Sequence, residues 1–265
     1  MRRGEFTEDF FRHMVLNSIR GYRTKFKDEY GEVVLCCDGR GYWRKNIFKH
    51  YKGKRKEGRE KSALDWDMIY GWINQIKDDL RENFPYKVIE VKGAEADDVI
   101  GFLAAKYAAH EPIMIVSADK DFQQLQRYPG VMQFSPKTKK LLKCADPMLY
   151  LKEHTIRGDA GDGVPNILSD EDTFMVADKK QKSVLSKKLE RWLGMKPEDI
   201  CKDAGCTIER YNLNKQLVDL TCTPSEIKQA IATEFDEAEV APRAKIMAYF
   251  MKHRLRHLSE YLHEF

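Results

Sequence analysis

The chain lacks any apolar stretch fit to cross a bilayer. Its longest run without a polar side chain, Val99–Ala105, falls far short of the roughly 20 residues that a spanning helix needs. The opening MRRGEFTEDF contains no apolar core of the kind a secretory signal carries, so neither an exported nor a membrane protein is expected. Cysteine is sparse: none of the six (Cys36, Cys37, Cys144, Cys201, Cys206, Cys222) forms a Cys-x-x-Cys pair. That argues against a disulfide framework or a zinc site and fits a reducing cytoplasm. His253 and His257 stand four apart on one helix face, but no third ligand accompanies them. There is no internal repeat and no low-complexity tract. What is present, 265 residues of which 42% are hydrophobic and 33% charged, suits one large globular domain or two small ones.

The net charge is only +4, yet the charge is unevenly spread. Residues 39–61 hold Arg40, Arg44, Lys45, Lys49, Lys52, Lys54, Arg55, Lys56, Arg59 and Lys61 against two acids, Glu57 and Glu60, which leaves the remainder of the chain acidic. A basic block beside an acidic remainder suits a polyanionic partner together with a function that uses carboxylates; a solvated charged helix is the plain alternative.

Helix-spaced apolar positions cover residues 8–29 (Phe11, Val15, Ile19, Tyr22, Phe26), and the pattern returns over 65–83. Short apolar runs at 33–37, 87–91, 113–116 and 131–134 read as strands, with helices expected over 95–109 and 121–127. Fully apolar strands alternating with helices indicate an α/β fold with a mainly parallel central sheet covered on both faces. Beyond about residue 145 the strand signal fades into helices punctuated by Gly158–Pro165, Pro197, Pro224 and Pro242. The expected organisation is an α/β core over 1–145, interrupted by the basic segment at about 39–62, and a helical domain over 146–265.

Acidic residues gather where strands end. Asp38 closes the first strand, Asp119 and Asp121 follow the third, and Glu95, Asp97 and Asp98 open the helix after the second. Open α/β sheets bind ligands beyond the carboxyl ends of their strands, so these six converge on one rim. Glu95 and Asp98 share a helix face, whereas Asp97 points elsewhere unless the helix starts late. Any one of them alone reads better as a helix-start residue answering the dipole. Six together resist joint ionisation, and cations relieve that. An all-oxygen donor set favours Mg²⁺ or Mn²⁺, and two ions about 3.5–4 Å apart would clamp a phosphodiester. The basic segment offers the complement: Tyr42-Trp43-Arg44-Lys45 and Tyr51-Lys52-Gly53-Lys54-Arg55 interleave cations for phosphates with aromatic faces for unpaired bases. Trp43 reads equally well as a core residue. An acidic rim beside a basic segment is the layout of a nuclease.

The runs VVLCCDGRGYWRKNIFKHYKGKRKEGRE, GAEADDVIG, VSADKDFQQL and IRGDAGDGVPN, in this order and spacing, resemble the 5′-nuclease superfamily of flap endonucleases and phage 5′→3′ exonucleases. The resemblance extends over essentially the whole chain. It implies a PIN-like nuclease core and a helical domain with a helix–three-turn–helix. It places Asp38, Glu95, Asp97, Asp98, Asp119 and Asp121 in the metal-carboxylate set and adds Asp159 and Asp162, for which local turn chemistry is an equal explanation. Lys52 and Arg55 match the cations at the base of a helical arch, where they contact the scissile phosphate. Arg40, Tyr42, Arg44, Lys45, Tyr51 and Arg59 complete the implied nucleic-acid contacts, with Tyr51 stacking on a frayed base.

The resemblance further implies a monomeric, two-Mg²⁺ enzyme (Mn²⁺ substituting) that removes RNA primers and 5′ flaps during phage replication. It would act in the host cytoplasm on branched or nicked DNA and RNA–DNA hybrids, alongside a single-stranded-DNA-binding protein and a sliding clamp. Two departures stand out. Family members open with a buried strand ending in a metal-binding Asp, whereas this sequence opens on residues that match the following helix. The alternative expectation is therefore a structure-specific nucleic-acid-binding protein impaired in catalysis. The second departure is NILSDEDTF after Pro165, where many members carry a glycine-rich turn. A PIN-like ribonuclease shares the acidic layout but usually lacks the arch and the helical half.

Overall fold

A computed structural model describes residues 7–265. In chain order the elements are α1 (Glu8–Tyr30), β1 (Val34–Cys37), α2 (Arg44–Ile47), α3 (Arg55–Glu60), α4 (Trp66–Asn83), β2 (Lys87–Glu90) and α5 (Ala96–Tyr107). They continue with β3 (Ile113–Val116), a 3₁₀ helix (Lys120–Arg127), β4 (Val131–Ser135), β5 (Lys140–Leu142) and α6 (Pro147–Arg157). The remainder is helical: α7 (Ser186–Leu193), α8 (Pro197–Ala204), α9 (Ile208–Val218), α10 (Ser225–Glu237), α11 (Ala244–Lys252) and α12 (Arg256–Ser259). The class is α/β with parallel strand pairs and a helical C-terminal part, as expected from the alternation of apolar runs and helices.

The chain packs as two compact units that interleave along the sequence. One comprises residues 7–37, Ser62–Glu90 and Ala232–Phe265; the other comprises Asp38–Lys61 and Val91–Ile231. In the first, β1 and β2 run parallel with Val34 opposite Lys87 and Cys37 opposite Glu90. Alternation puts Val33, Leu35 and Cys37 on a core built from Leu16, Ile76, Phe84, Tyr86, Tyr249 and Phe250. Thr7 caps α1 by accepting from the Phe10 N–H, and Asp65 caps α4 through Met68. Arg12 is fully buried here and bonds Glu8 at 2.6 Å, Asp79 and the Tyr249 hydroxyl. A buried charge survives only with such partners.

In the second unit β3 and β4 are parallel, Ile113 opposite Val131. An antiparallel strand, β5, closes a hairpin on β4 with Lys140 opposite Ser135. β5 carries no strand signal in the sequence, because three residues after a lysine-rich turn hold too little pattern. Ile115, Phe122, Leu125, Val131 and Leu220 form the core around the β3–β4 pair. Trp192, Ile156, Ile167, Ile200 and Tyr211 form a separate core among the helices of the C-terminal part. The basic segment folds as two short helices, α2 and α3, joined by turns. Gly39 follows β1 where a side chain is impossible: a Cβ there would lie 1.9 Å from the Val91 carbonyl oxygen.

Candidate active site

The site lies within the second unit, and three chain reversals build it. After β3, the fully buried Gln133 side chain donates to the carbonyls of Ser117 at 3.0 Å and Asp119 at 2.6 Å. That pins the backbone from which Asp119 and Asp121 project. Asp119 then caps the 3₁₀ helix by accepting from the Asp121 N–H at 3.0 Å. At the start of α5, Glu95 is the cap residue, and Asp98 reaches back to the Glu95 N–H at 2.9 Å. Asp38 Oδ1 takes the next N–H, that of Ala96, at 2.9 Å. After α6, Gly158 adopts φ 65° and passes so close to the following strand-like turn that a Cβ would meet the Val164 oxygen at 2.3 Å. The reversal presents Asp159, whose Oδ1 accepts from the N–H groups of Gly161 at 2.7 Å and Asp162 at 3.1 Å. That is the local turn chemistry the sequence allowed. Its other oxygen, Oδ2, lies 3.4 Å from Lys120 Nζ.

Apart from Asp38, the carboxylates divide into two groups. Asp97, Asp119, Asp121 and Asp159 form the first. Burial pushes the Asp97 carboxyl up to about 7, with the Asp119 charge next in importance. Burial likewise pushes Asp121 up to about 8, and Asp119, Asp159 and Asp97 add to it. Asp97 stands in the first turn of α5, near enough to Asp119 for that charge to act on it. Asp159 moves the other way: burial works against its charge, but Lys120, His154 and the two N–H donors outweigh it. The Oδ1 atom of Asp121 is buried and accepts no hydrogen bond. A buried carboxylate oxygen without a donor is costly, and a cation is the natural partner.

The second group is Glu95, Asp98 and Asp162, and it holds the base of the basic segment. Asp98, with no exposed surface, accepts from Trp43 Nε1 at 3.2 Å, Arg44 Nη1 at 2.9 Å and Thr223 Oγ1 at 2.8 Å. Glu95 takes Arg44 at 3.0 Å, the Tyr51 hydroxyl at 2.9 Å and Lys52. Asp162 takes the same Tyr51 hydroxyl at 2.8 Å and Arg55 Nη2 at 2.6 Å, with Lys52 Nζ 3.7 Å away. Burial works against the charge on Lys52 and Arg55, but Asp162 and Glu95 hold both cations above their ordinary range.

Of the cations and aromatics singled out in the sequence, Arg40, Lys45 and Arg55 are exposed and Tyr42 and Arg59 half-buried. Arg44 is 2% and Tyr51 3% exposed. The Arg44 guanidinium is spent on Asp98, Glu95 and the Leu217 carbonyl. The Tyr51 ring packs with Phe48, Val164 and Leu217, so in this arrangement it offers no face to a base. The glycine-free turn after Pro165 is held by Asn166, whose Oδ1 accepts from the Leu168 N–H at 3.0 Å and the Ser169 hydroxyl at 2.9 Å.

Two side chains here had no mark in the sequence. Gln133 reads there as an ordinary strand residue. His154 reads as one polar position on a helix, yet its Nε2 lies 3.3 Å from Asp121 Oδ1 and 3.6 Å from Asp159 Oδ2. These three side chains offer ligand atoms within 4.8 Å of one another. Atoms 2.0–2.2 Å from one ion at octahedral or tetrahedral angles lie about 2.8–3.6 Å apart, so the donor set fits a divalent metal with small adjustments.

The family described as 5′-3′ exonuclease, N-terminal resolvase-like domain, matches residues 6–150. The family described as T4 RNase H, C terminal, matches residues 146–265. The chain belongs to the 5′→3′ exonuclease family. Ribonuclease H of Enterobacteria phage T4 is 31% identical over 262 residues, covering 96% of this chain and 86% of that protein. A 5′-3′ exonuclease of Buchnera aphidicola is 29% identical over 112 residues, 42% of this chain and 36% of that one. Among solved structures, phage T5 5′-exonuclease with divalent zinc bound superposes with a TM-score of 0.60 at 16% identity, over 86% of this chain and 91% of that one. A phage T5 flap endonuclease in complex with DNA and metal ions also gives 0.60, at 18% identity, over 86% and 90%. These two likenesses establish the 5′-nuclease fold. Among the described residues, no helix is long and apolar enough to cross a membrane.

Proposed function

We propose that this chain is a divalent-metal-dependent 5′→3′ exonuclease and flap endonuclease with ribonuclease H activity. It removes RNA primers and 5′ flaps from branched or nicked DNA and RNA–DNA hybrids during phage replication. The observation that carries the reading is the cluster of Asp97, Asp119, Asp121 and Asp159, in which two half-buried carboxyls are pushed up to about 7 and about 8 and one buried oxygen has no donor. Such a group is stable as a set of anions only with cations beside it. Two ions are assigned, Mg²⁺ in the main with Mn²⁺ able to substitute, since carboxylate-rich sites favour these metals.

Asp97, Asp119, Asp121 and Asp159 are the proposed ligands. Asp38, Glu95 and Asp162 complete the set as their present donors move, and Asp98 holds Arg44. When bound, the cations supply charge stabilisation for the phosphodiester and make water more acidic. Lys52 and Arg55 are the proposed catalytic cations: an entering phosphate replaces Glu95 and Asp162 as their anionic partner, which aims both charges at the oxygens that gain charge in the transition state. Hydrolysis joins the water oxygen to phosphorus, breaks the bond to the 3′ oxygen and leaves a 5′-phosphate. Arg40, Lys45 and Arg59 track the backbone and Tyr42 offers a stacking face, while Arg44 and Tyr51 position the base of the arch.

Residues 1–145 are assigned most of the chemistry, joined by Asp159 and Asp162, and 146–265 the grip on duplex. The protein acts as a monomer in the host cytoplasm, with a single-stranded-DNA-binding protein and a sliding clamp as the partners that replication calls for. The test is cleavage of a 5′-labelled flap DNA and an RNA–DNA hybrid with and without Mg²⁺. Mg²⁺-dependent short 5′ products support the enzyme. Tight binding with no product marks the impaired, binding-only protein instead.

A further inference from the structure

We propose that His154 is itself a metal ligand through Nε2, giving the position it shares with Asp121 and Asp159 a mixed nitrogen–oxygen donor set that prefers Mn²⁺ or Co²⁺ to Mg²⁺. This rests on the reading of the carboxylates as metal ligands and goes beyond it in naming a nitrogen donor and its consequence.

His154 stands in the last turn of α6 and is 6% exposed. Its Nε2 points at Asp121 Oδ1, 3.3 Å away, and Asp159 Oδ2, 3.6 Å away. Neither Nε2 nor Asp121 Oδ1 has a hydrogen-bond partner, although the two face each other. An imidazole serving only to orient a carboxylate would use that nitrogen in a well-directed hydrogen bond. Here the two lone-pair atoms converge without one, as donors around a shared ion do. Helix geometry holds the ring in place: Tyr150, one turn earlier, stacks on it with planes 9° apart and centroids 6.0 Å apart. The Tyr150 hydroxyl is also buried without a partner. Lys120 Nζ, 3.4 Å from Asp159 Oδ2, is the cation that competes for the position.

The chemical consequence follows from the donor atom. Mg²⁺ favours oxygen ligands and keeps its waters, whereas imidazole suits later divalent metals. The position at His154 therefore discriminates among metals, and the carboxylates of Asp97 and Asp119 remain an oxygen site suited to Mg²⁺.

The test uses Mn²⁺ alone with the full chain, read by pulsed electron paramagnetic resonance and by calorimetry. Directly bound imidazole gives a nitrogen hyperfine coupling, which changes on labelling the histidines with ¹⁵N and disappears in His154→Gln. Calorimetry is expected to show Mn²⁺ binding weakened by about tenfold or more in that variant, the scale on which groups around a metal act, with Mg²⁺ affinity changed by less than about twofold. Mn²⁺ bound by the wild type and lost in Asp121→Asn, but with no nitrogen coupling, overturns the His154 assignment and leaves the carboxylate reading standing. No Mn²⁺ bound by the wild type at all overturns both. Because the coupling is read on the wild type, poor folding of the variant does not blunt the result.

Discussion

Glu95 and Asp162 share the hydroxyl of Tyr51, which lies 2.9 Å from one carboxylate and 2.8 Å from the other. A phenol carries one hydrogen, so it donates to one carboxylate at a time. Lys52 and Arg55 supply what the other lacks. Removing the hydroxyl in Tyr51→Phe leaves a buried carboxylate short of a donor, which costs about 1–3 kcal/mol. Urea denaturation is expected to show a loss of that size at unchanged slope. An unchanged midpoint would contradict the shared-hydroxyl account.

Asp98 and Asp121 make opposite predictions on the same substitution. Asp98 has four donor groups around it, one of them the buried Arg44. Neutralising it in Asp98→Asn strands that charge and is expected to destabilise by about 3 kcal/mol or more. Asp121 has acidic neighbours and an oxygen without a donor. Asp121→Asn is therefore expected to raise the melting temperature of metal-free protein at pH 8 while abolishing one Mn²⁺ equivalent in calorimetry. A melting temperature lowered by Asp121→Asn would oppose the account.

Stability is expected to depend on pH in the sense opposite to most carboxylates. The folded-state values of Asp97 and Asp121 lie above an ordinary aspartate. Between roughly pH 4 and 8 the folded state then binds more protons than the unfolded chain, and stability falls as pH rises. Each unit of displacement is worth about 1.4 kcal/mol per group. The contribution is fully present below pH 4 and has been lost above about pH 8. Metal-free protein should melt progressively lower from pH 5 to pH 8, and Mg²⁺ or Mn²⁺ should restore most at the alkaline end. A melting curve that rises over this range would contradict the raised values.

Element positions were legible in the sequence because apolar periodicity is local. The run Ile113–Val116 is β3 residue for residue, and α1 and α4 begin and end within a residue or so of their periodic segments. The nearness of Asp119 and Asp121 was legible from their places after β3, whereas the side-chain direction of Asp97 in the first turn of α5 was not. The division of labour among the carboxylates was not. Asp98 and Asp97 are neighbours in sequence, yet Asp98 meets Trp43, Arg44 and Thr223, all remote along the chain. For the same reason Arg44 reads as one more phosphate-binding cation when it is a buried strut, and His154 carries no spacing signal toward Asp121.

That contrast has a measurable form in nucleic-acid binding. Lys45 is exposed and is assigned a phosphate contact, so Lys45→Gln is expected to reduce the slope of log affinity against log salt by about 0.9 on duplex DNA. Arg44→Gln is expected to lower stability and leave the slope unchanged at temperatures where the variant is folded. Equal slopes for Lys45→Gln and the wild type would remove Lys45 from the interface.

The most direct test of the central claim is the double variant Asp119→Asn with Asp121→Asn, assayed on a 5′-labelled flap in Mg²⁺ beside the wild type. The account predicts a folded protein that still binds the flap, with cleavage reduced by about a thousandfold or more, the scale of losing transition-state charge stabilisation. Cleavage close to that of the wild type would contradict the assignment of these carboxylates to the metals.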